Sequence, residues 1–560
     1  MSEQITTRET TDIAALALLG KKQVLQRRFN FYTLLGFAIC ELITWETVLA
    51  LFSQAFNNGG PAGAVYGFII AWFSTMSVYT VVSEMASLAP IAGGQYYWVY
   101  MLAPNDWKVV SSYIVGWLTT LAWIATVATE TLFAGTIIQG VLVLDYPDYA
   151  SEPWQGMLLT WAVILACVFM NVVLPRLLPK FNFAVMIIHL CGFVAVLVTL
   201  WVMTPSLRSN EFVWKTSMNE GGWPTQSLSY CVGFLGNVAT FVGADASVHM
   251  AEEVSNAAIN IPKAILSAMI VNGAVGFVML VTILYCLGDT DSVLNTPTGF
   301  PFIQVFQNSV QDIAGATAMT ALVTFLTWAC ANGITTTASR MAWSFARDRG
   351  LPLSPTLSRI SAKSKIPWVA VLSVAFIAAL LTIIYAGSET AFNDVVSLTI
   401  TGFYGSYMFP SSLLLWRRIT GQIEPHGSIA DDLSSSSARD LIGGRDSKSP
   451  TNSDESTDGA GIVIVQNRLV WGPWHLPGWL GIVNNIYACC YMTFVIFWSV
   501  WPPDYHVTAE TMNYSIVITG GVMILSAVWY YLYAKKIYKG PLIDDEIAAV
   551  MRAGSVVAAN

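Results

Sequence analysis

Carboxylates set inside long apolar runs are the residues of this chain with the clearest chemical capacity. Glu41 and Glu46 stand in one such run, with Thr44 and Trp45 between them and Ala38, Ile39 and Cys40 just ahead. If the run is a membrane helix starting near residue 31, Glu41 lies about 15 Å into it, close to the bilayer midplane. A charge at that depth is expensive and marks a functional site by default. Two acids beside an indole ring would attract a cation by charge and by cation–π contact. The alternative is that one of them pairs with a neighbouring helix and only supports the fold.

A second cluster reads Phe241-Val242-Gly243-Ala244-Asp245, followed by His249 and Glu252-Glu253. Glycine and aspartate at mid-depth make a poor continuous helix. They suit a broken one, whose freed backbone groups face a cavity. Phe241, Gly243, Ala244 and Asp245 are therefore candidates for substrate contact. Glu130 lies deep in another run near Trp123, Thr126 and Thr129. Asn332, ahead of Thr335 to Thr337, and Tyr404 are further polar groups that could line a cavity. Glu84 lies near the end of the second run. His189, within Ile187-Ile188-His189-Leu190-Cys191, is able to carry a proton near neutral pH; a hydrogen-bonded core histidine is the competing reading. Glu41, His189 and Asp245 are the proton-coupling candidates.

These residues need membrane helices to hold them. Hydrophobic residues make up 55% of the chain and charged residues 11%, whereas soluble domains carry about 25% charged residues. Twelve runs are long enough to span, near 31–56, 62–88, 109–140, 154–174, 181–203, 226–250, 264–288, 313–338, 368–386, 392–416, 478–501 and 513–534. With the N-terminal tail placed in the cytoplasm, all but Arg208 and Lys215 of the 27 Lys and Arg fall on the cytoplasmic side. Both tails are then expected inside. The expected layout is a cytoplasmic tail over 1–28, a transporter domain over 29–540 and a second cytoplasmic tail over 541–560. A polar, serine-bearing loop over 420–465 is expected to be disordered. The stretch 88–108, with Tyr96, Tyr97, Trp98 and Tyr100, suits an interfacial segment on the inner surface.

Several classes are disfavoured. The net charge of −8 is small for 560 residues and implies no nucleic-acid partner. The eight cysteines form no CxxC motif or Cys/His cluster and are expected as buried free thiols. There is no Walker A sequence, no HExxH and no Gly-x-Ser-x-Gly, so neither an enzyme nor an ATP-driven pump is indicated, and no metal or cofactor. The first 28 residues lack a signal-peptide pattern, which leaves the first span as its own insertion signal. Asn513-Tyr514-Ser515 is a glycosylation sequon on the external side, but it abuts the last span.

Asn57-Asn58-Gly59-Gly60-Pro61 and Ser83-Glu84-Met85-Ala86-Ser87-Leu88-Ala89-Pro90-Ile91-Ala92-Gly93-Gly94-Gln95 resemble the amino acid–polyamine–organocation superfamily. So do His249-Met250-Ala251-Glu252-Glu253, Asn260-Ile261-Pro262-Lys263 and Phe345-Ala346-Arg347-Asp348-Arg349-Gly350-Leu351-Pro352. The subgroup resembled is the fungal amino acid/choline transporter family. The resemblance implies an all-α fold of about 12 spans, with a LeuT-like inverted repeat of five plus five helices and two peripheral ones. It places substrate near Ala38 to Trp45 and Phe241 to Asp245, and implies proton-coupled uptake at the plasma membrane. Some superfamily members use a lysine in the fifth helix in place of sodium; Lys180 is too near the cytoplasmic end for that, and His189 lies deeper. Amino-acid members often have a glycine-rich first break whose N–H groups hold the substrate carboxylate. Here Glu41 adds negative charge instead, which favours choline or another amine over a simple amino acid. GABA or amino-acid import, export of a basic alkaloid-like metabolite, and non-transporting nutrient sensing are the alternatives.

Overall fold

The structure, a computed structural model, describes residues 16–17, 19–387, 389–426, 469–509 and 511–543. Most of the expected loop 420–465 and of both expected tails lies outside the described residues.

Helix α1 (Phe31–Leu42) opens with a capping box: the Asn30 side chain accepts from the Thr33 amide, and Thr33 Oγ1 accepts from the Asn30 amide. It stops at Ile43, whose φ of 27° is strained for a β-branched residue. The span then resumes as α2 (Thr44–Ala50) and α3 (Phe52–Asn57). Next come α4 (Gly60–Leu88), α5 (Gln95–Leu102), α6 (Lys108–Asp145), α7 (Pro153–Val173), α8 (Leu178–Met203) and the short α9 (Asn210–Lys215). Helix α10 (Gln226–Ala239) runs into a second break over 240–245, and α11 (Ala246–His249) follows it. The chain continues through α12 (Ala257–Tyr285), α13 (Thr290–Leu294), α14 (Pro301–Val310), α15 (Ile313–Arg347), α16 (Ser354–Leu357), α17 (Trp368–Gly387), α18 (Glu389–Ile419), α19 (Gly478–Trp498) and α20 (Ser515–Leu532). A two-residue parallel strand pair joins Ile423 to Leu469 and Glu424 to Val470.

Among the described residues, 10 stretches are long and apolar enough to cross a membrane, the broken Phe31–Ala50 included. The other two expected spans are the broken α10–α11 and α18. Helix α18 has the length, but Ser, Thr, Gly and Tyr dilute its apolar character. The breaks fall in the first and sixth spans, the matching positions of two five-span halves. Helices α1, α6, α12 and α15 make the packed centre. Only 17% of the apolar window of α20 is buried, against 83% for the first span, so the last span is peripheral as expected.

The aromatic segment 96–100 forms α5, with Tyr96, Tyr97 and Trp98 buried within the protein. Its polar tips find partners inside, since Trp98 Nε1 donates to Ala89 O at 3.0 Å and Tyr96 Oη donates to Asp348 Oδ2 at 2.8 Å. The cysteines are all free thiols, but Cys191 and Cys490 are exposed rather than buried.

Candidate functional site

The two breaks meet. Thr44 Oγ1 donates to Thr240 O at 3.2 Å, and the Asn272 amide from α12 bridges Thr44 N and Ile39 O at 3.4 Å each. These contacts hold Ile43 in its strained conformation. One residue before the end of α1, Glu41 is 2% exposed, and neither carboxylate oxygen has a hydrogen-bond partner. Its carboxylate lies against Gly333 of α15, where any Cβ would collide with it. Its backbone carbonyl accepts from Cys330 Sγ at 3.4 Å. A carboxylate buried without a donor is unstable as an isolated anion and calls for a cation or a proton.

The second break contrasts with this. Asp245 is fully buried but satisfied: Tyr407 Oη donates to one oxygen at 2.5 Å and Gln95 Nε2 to the other at 2.7 Å. Trp123 Nε1 donates to His249 Nε2 at 3.0 Å, which makes that nitrogen an acceptor. His249 Nδ1 then donates to Ala92 O at 2.8 Å. Asp245 and Trp123 thus brace the break.

His189 and Glu46 form a buried pair, Nδ1 to Oε1 at 2.7 Å, with His189 Nε2 and Glu46 Oε2 left unpartnered. Trp45 packs on this pair, 6.0 Å from the His189 ring and 6.3 Å from Phe193. Ala38, Ile39 and Cys40 are buried in the last turns of α1. Phe241 stacks near Phe68 at 4.9 Å. Asn332 Oδ1 accepts from Asn171 Nδ2 at 3.0 Å, and Tyr404 Oη shares a 3.1 Å hydrogen bond with Thr75 Oγ1. Asn513 is buried, its amide donating to Ser499 O and Trp501 O at 3.0 Å each, a geometry that argues against glycosylation there.

Beside the second break, against Thr47 and Leu51 of the first span, lies a cavity of about 30 Å³, water-sized. Glu130, Thr126 and Thr129 of α6 line it with Thr47, Val242, Ile334, Thr399 and Ile400. Leu51 and Phe133 separate it from a vestibule of about 740 Å³, which Glu220 and Asp504 also border. Of the candidates named from sequence, Glu130 lines this cavity directly; Glu41 lies beyond its wall. No ion pair among the described residues reaches Glu41 or Glu130. Thr47, Thr399 and Ile400 were missed, because nothing in their local sequence separates them from other helix residues.

The opposite end is shut. Glu252 pairs with Arg347 at 2.7 Å, Glu253 with Arg340 at 2.9 Å, and Lys21 with Asp348. Phe29 and Val254 form a parallel bridge beside them. Glu84 belongs to this basic end too, bound to Arg418 at 2.5 Å and to the Leu476 amide at 2.8 Å.

Two broken spans beside a small central cavity, with a vestibule on one side and an ionic seal on the other, define a multi-pass membrane transporter. The profile of one family, described as amino acid permease, matches residues 29–522, and the chain belongs to that family. These are permeases, carriers rather than enzymes. Among full-length relatives, the choline transporter of Saccharomyces cerevisiae is 25% identical over 514 residues, covering 91% of this chain and 82% of its own. The GABA-specific permease of the same yeast is 28% identical over 551 residues, covering 96% and 88%. A protein named for amino acid/polyamine transport in Macrophomina phaseolina is 28% identical over 482 residues, covering 86% and 96%.

Proposed function

We propose that this permease is a proton-coupled importer of a small cationic amine, choline or a close relative, across the plasma membrane. The observation that carries the reading is Glu41: a buried carboxylate with two unpartnered oxygens, behind the wall of a cavity that Glu130 lines. With two acids and no base, the site attracts a positive ligand and repels a free carboxylate. The tertiary ammonium or quaternary head of an amine supplies the missing charge. The relative named as a choline transporter supports this reading.

The Glu46–His189 pair supplies the proton site. It is buried, and each partner keeps one free polar atom, so a proton can join or leave without dismantling the fold. The basic end, with its ionic seal, is read as cytoplasmic; the vestibule then opens outward. The relative named as a GABA-specific permease favours a second reading, uptake of an amino acid with Glu41 protonated. Export of a basic metabolite uses the same geometry in reverse. Labelled choline uptake by wild type and Glu41→Gln, with GABA as competitor, separates the first two: Glu41→Gln abolishes choline uptake on the amine reading and spares GABA uptake on the other.

A further inference from the structure

We infer that Tyr79 is a specificity-determining residue, its hydroxyl occupying the backbone donors of the second break and so setting the site against carboxylates. The inference rests on the proposed function, in that substrate binds at the two breaks. Gly243 has φ 112°, a conformation open to glycine, and it brings the Gly243 and Ala244 amides onto one point. Converging backbone N–H groups of this kind form an anion-holding nest. Here one oxygen fills it. The Tyr79 hydroxyl accepts from Gly243 N and Ala244 N at 3.2 Å each and passes its own proton to Phe241 O at 3.0 Å.

Tyr79 reaches this point from α4, a different span, and is 1% exposed. Its ring stands edge-on to Tyr407 at 6.0 Å, and Tyr407 is held by Asp245. The hydroxyl is therefore a packed fixture. The nest adjoins the substrate region, since Val242 lines the cavity and a Cβ on Gly243 would sit 3.4 Å from Glu41 O. A substrate carboxylate reaching the break meets two donors already taken, beside the charge of Glu41. A quaternary ammonium needs no donor and loses nothing. The pairing of donors with Tyr79, and not the presence of the break, is what distinguishes this site from one that holds a zwitterion.

The test uses the purified full-length chain in detergent: binding of labelled choline, with unlabelled choline and GABA as competitors, to wild type, Tyr79→Phe and Tyr79→Ser. Tyr79→Phe bares the two donors with little change of shape, and Tyr79→Ser also opens room. The expected result is GABA competition strengthened about tenfold relative to choline in at least one variant, as two buried donors gain an acceptor. The ratio is taken on the same folded fraction, so loss of folded protein does not move it. An unchanged ratio in both variants, with choline binding intact, overturns the role of Tyr79 and leaves the proposed function standing. A wild type that holds GABA more tightly than choline, or binds neither, overturns the proposed function and the inference with it.

Discussion

A carboxylate kept in a protein interior with no donor in reach must be neutralised, by a cation or by a proton. Glu41 has that character, and Glu46 does not, because His189 meets it at 2.7 Å. On the proposed function the two acids of one short stretch divide their tasks. Gly333→Ala would press a methyl onto the Glu41 carboxylate. Uptake is expected to fall by about tenfold or more, as overpacking at a close contact costs about 1–3 kcal/mol, with the amount of protein at the membrane unchanged. His189→Gln and Glu46→Gln are expected to keep substrate exchange across the membrane while losing its acceleration by an imposed proton gradient. Uptake measured with and without that gradient checks this; a gradient response equal to wild type in both variants would remove the pair from the coupling. Acids in apolar runs were legible in the sequence because charge there stands out. The satisfied state of Asp245 was not, since its donor Gln95 lies 150 residues away in the chain. The contact of the Trp45 ring with His189, 6.0 Å away, was not legible for a related reason.

At the scale of elements, the second break could be read from Gly243 and Asp245, since glycine and a polar side chain both weaken a helix at membrane depth. The first break carries no such mark. It falls at Ile43, a residue that disfavours φ 27°, and only tertiary contacts from Thr240 and Asn272 impose it. That the rings of α5 turn inward was not legible, because aromatic residues populate both membrane surfaces and buried cores. The basic end depends on elements distant in sequence: α15 supplies Arg340 and Arg347, and the segment after α11 supplies Glu252 and Glu253. Arg347→Ala leaves Glu252 buried with no ionic partner, and breaking a buried pair in this way costs about 3–5 kcal/mol. The loss falls on the sealed conformation, so the basic end is expected to open. A cysteine placed at Thr337, buried in α15, should then react with maleimide several-fold faster than in the Arg347 parent, and an unchanged rate would show that the pair does not seal this end.

For the whole molecule, an all-α chain of many membrane-length apolar helices was visible before any coordinates, and 10 such stretches stand among the described residues. What no sequence pattern revealed was the state: a water-sized cavity between a vestibule of about 740 Å³ and an ionic seal. That arrangement fits one stage of alternating access, with substrate entering from the vestibule and the seal parting afterwards. The central claim is that a cationic amine, neutralising Glu41, is what the closed site holds and what a proton gradient drives inward. Uptake of labelled choline, in cells lacking their own permeases, tests it most directly, with an inward proton gradient present or collapsed and with wild type beside Glu41→Gln. The account predicts concentrative choline uptake that is lost both when the gradient is collapsed and in Glu41→Gln. Uptake of GABA or another amino acid in place of choline, undiminished by Glu41→Gln, would contradict it.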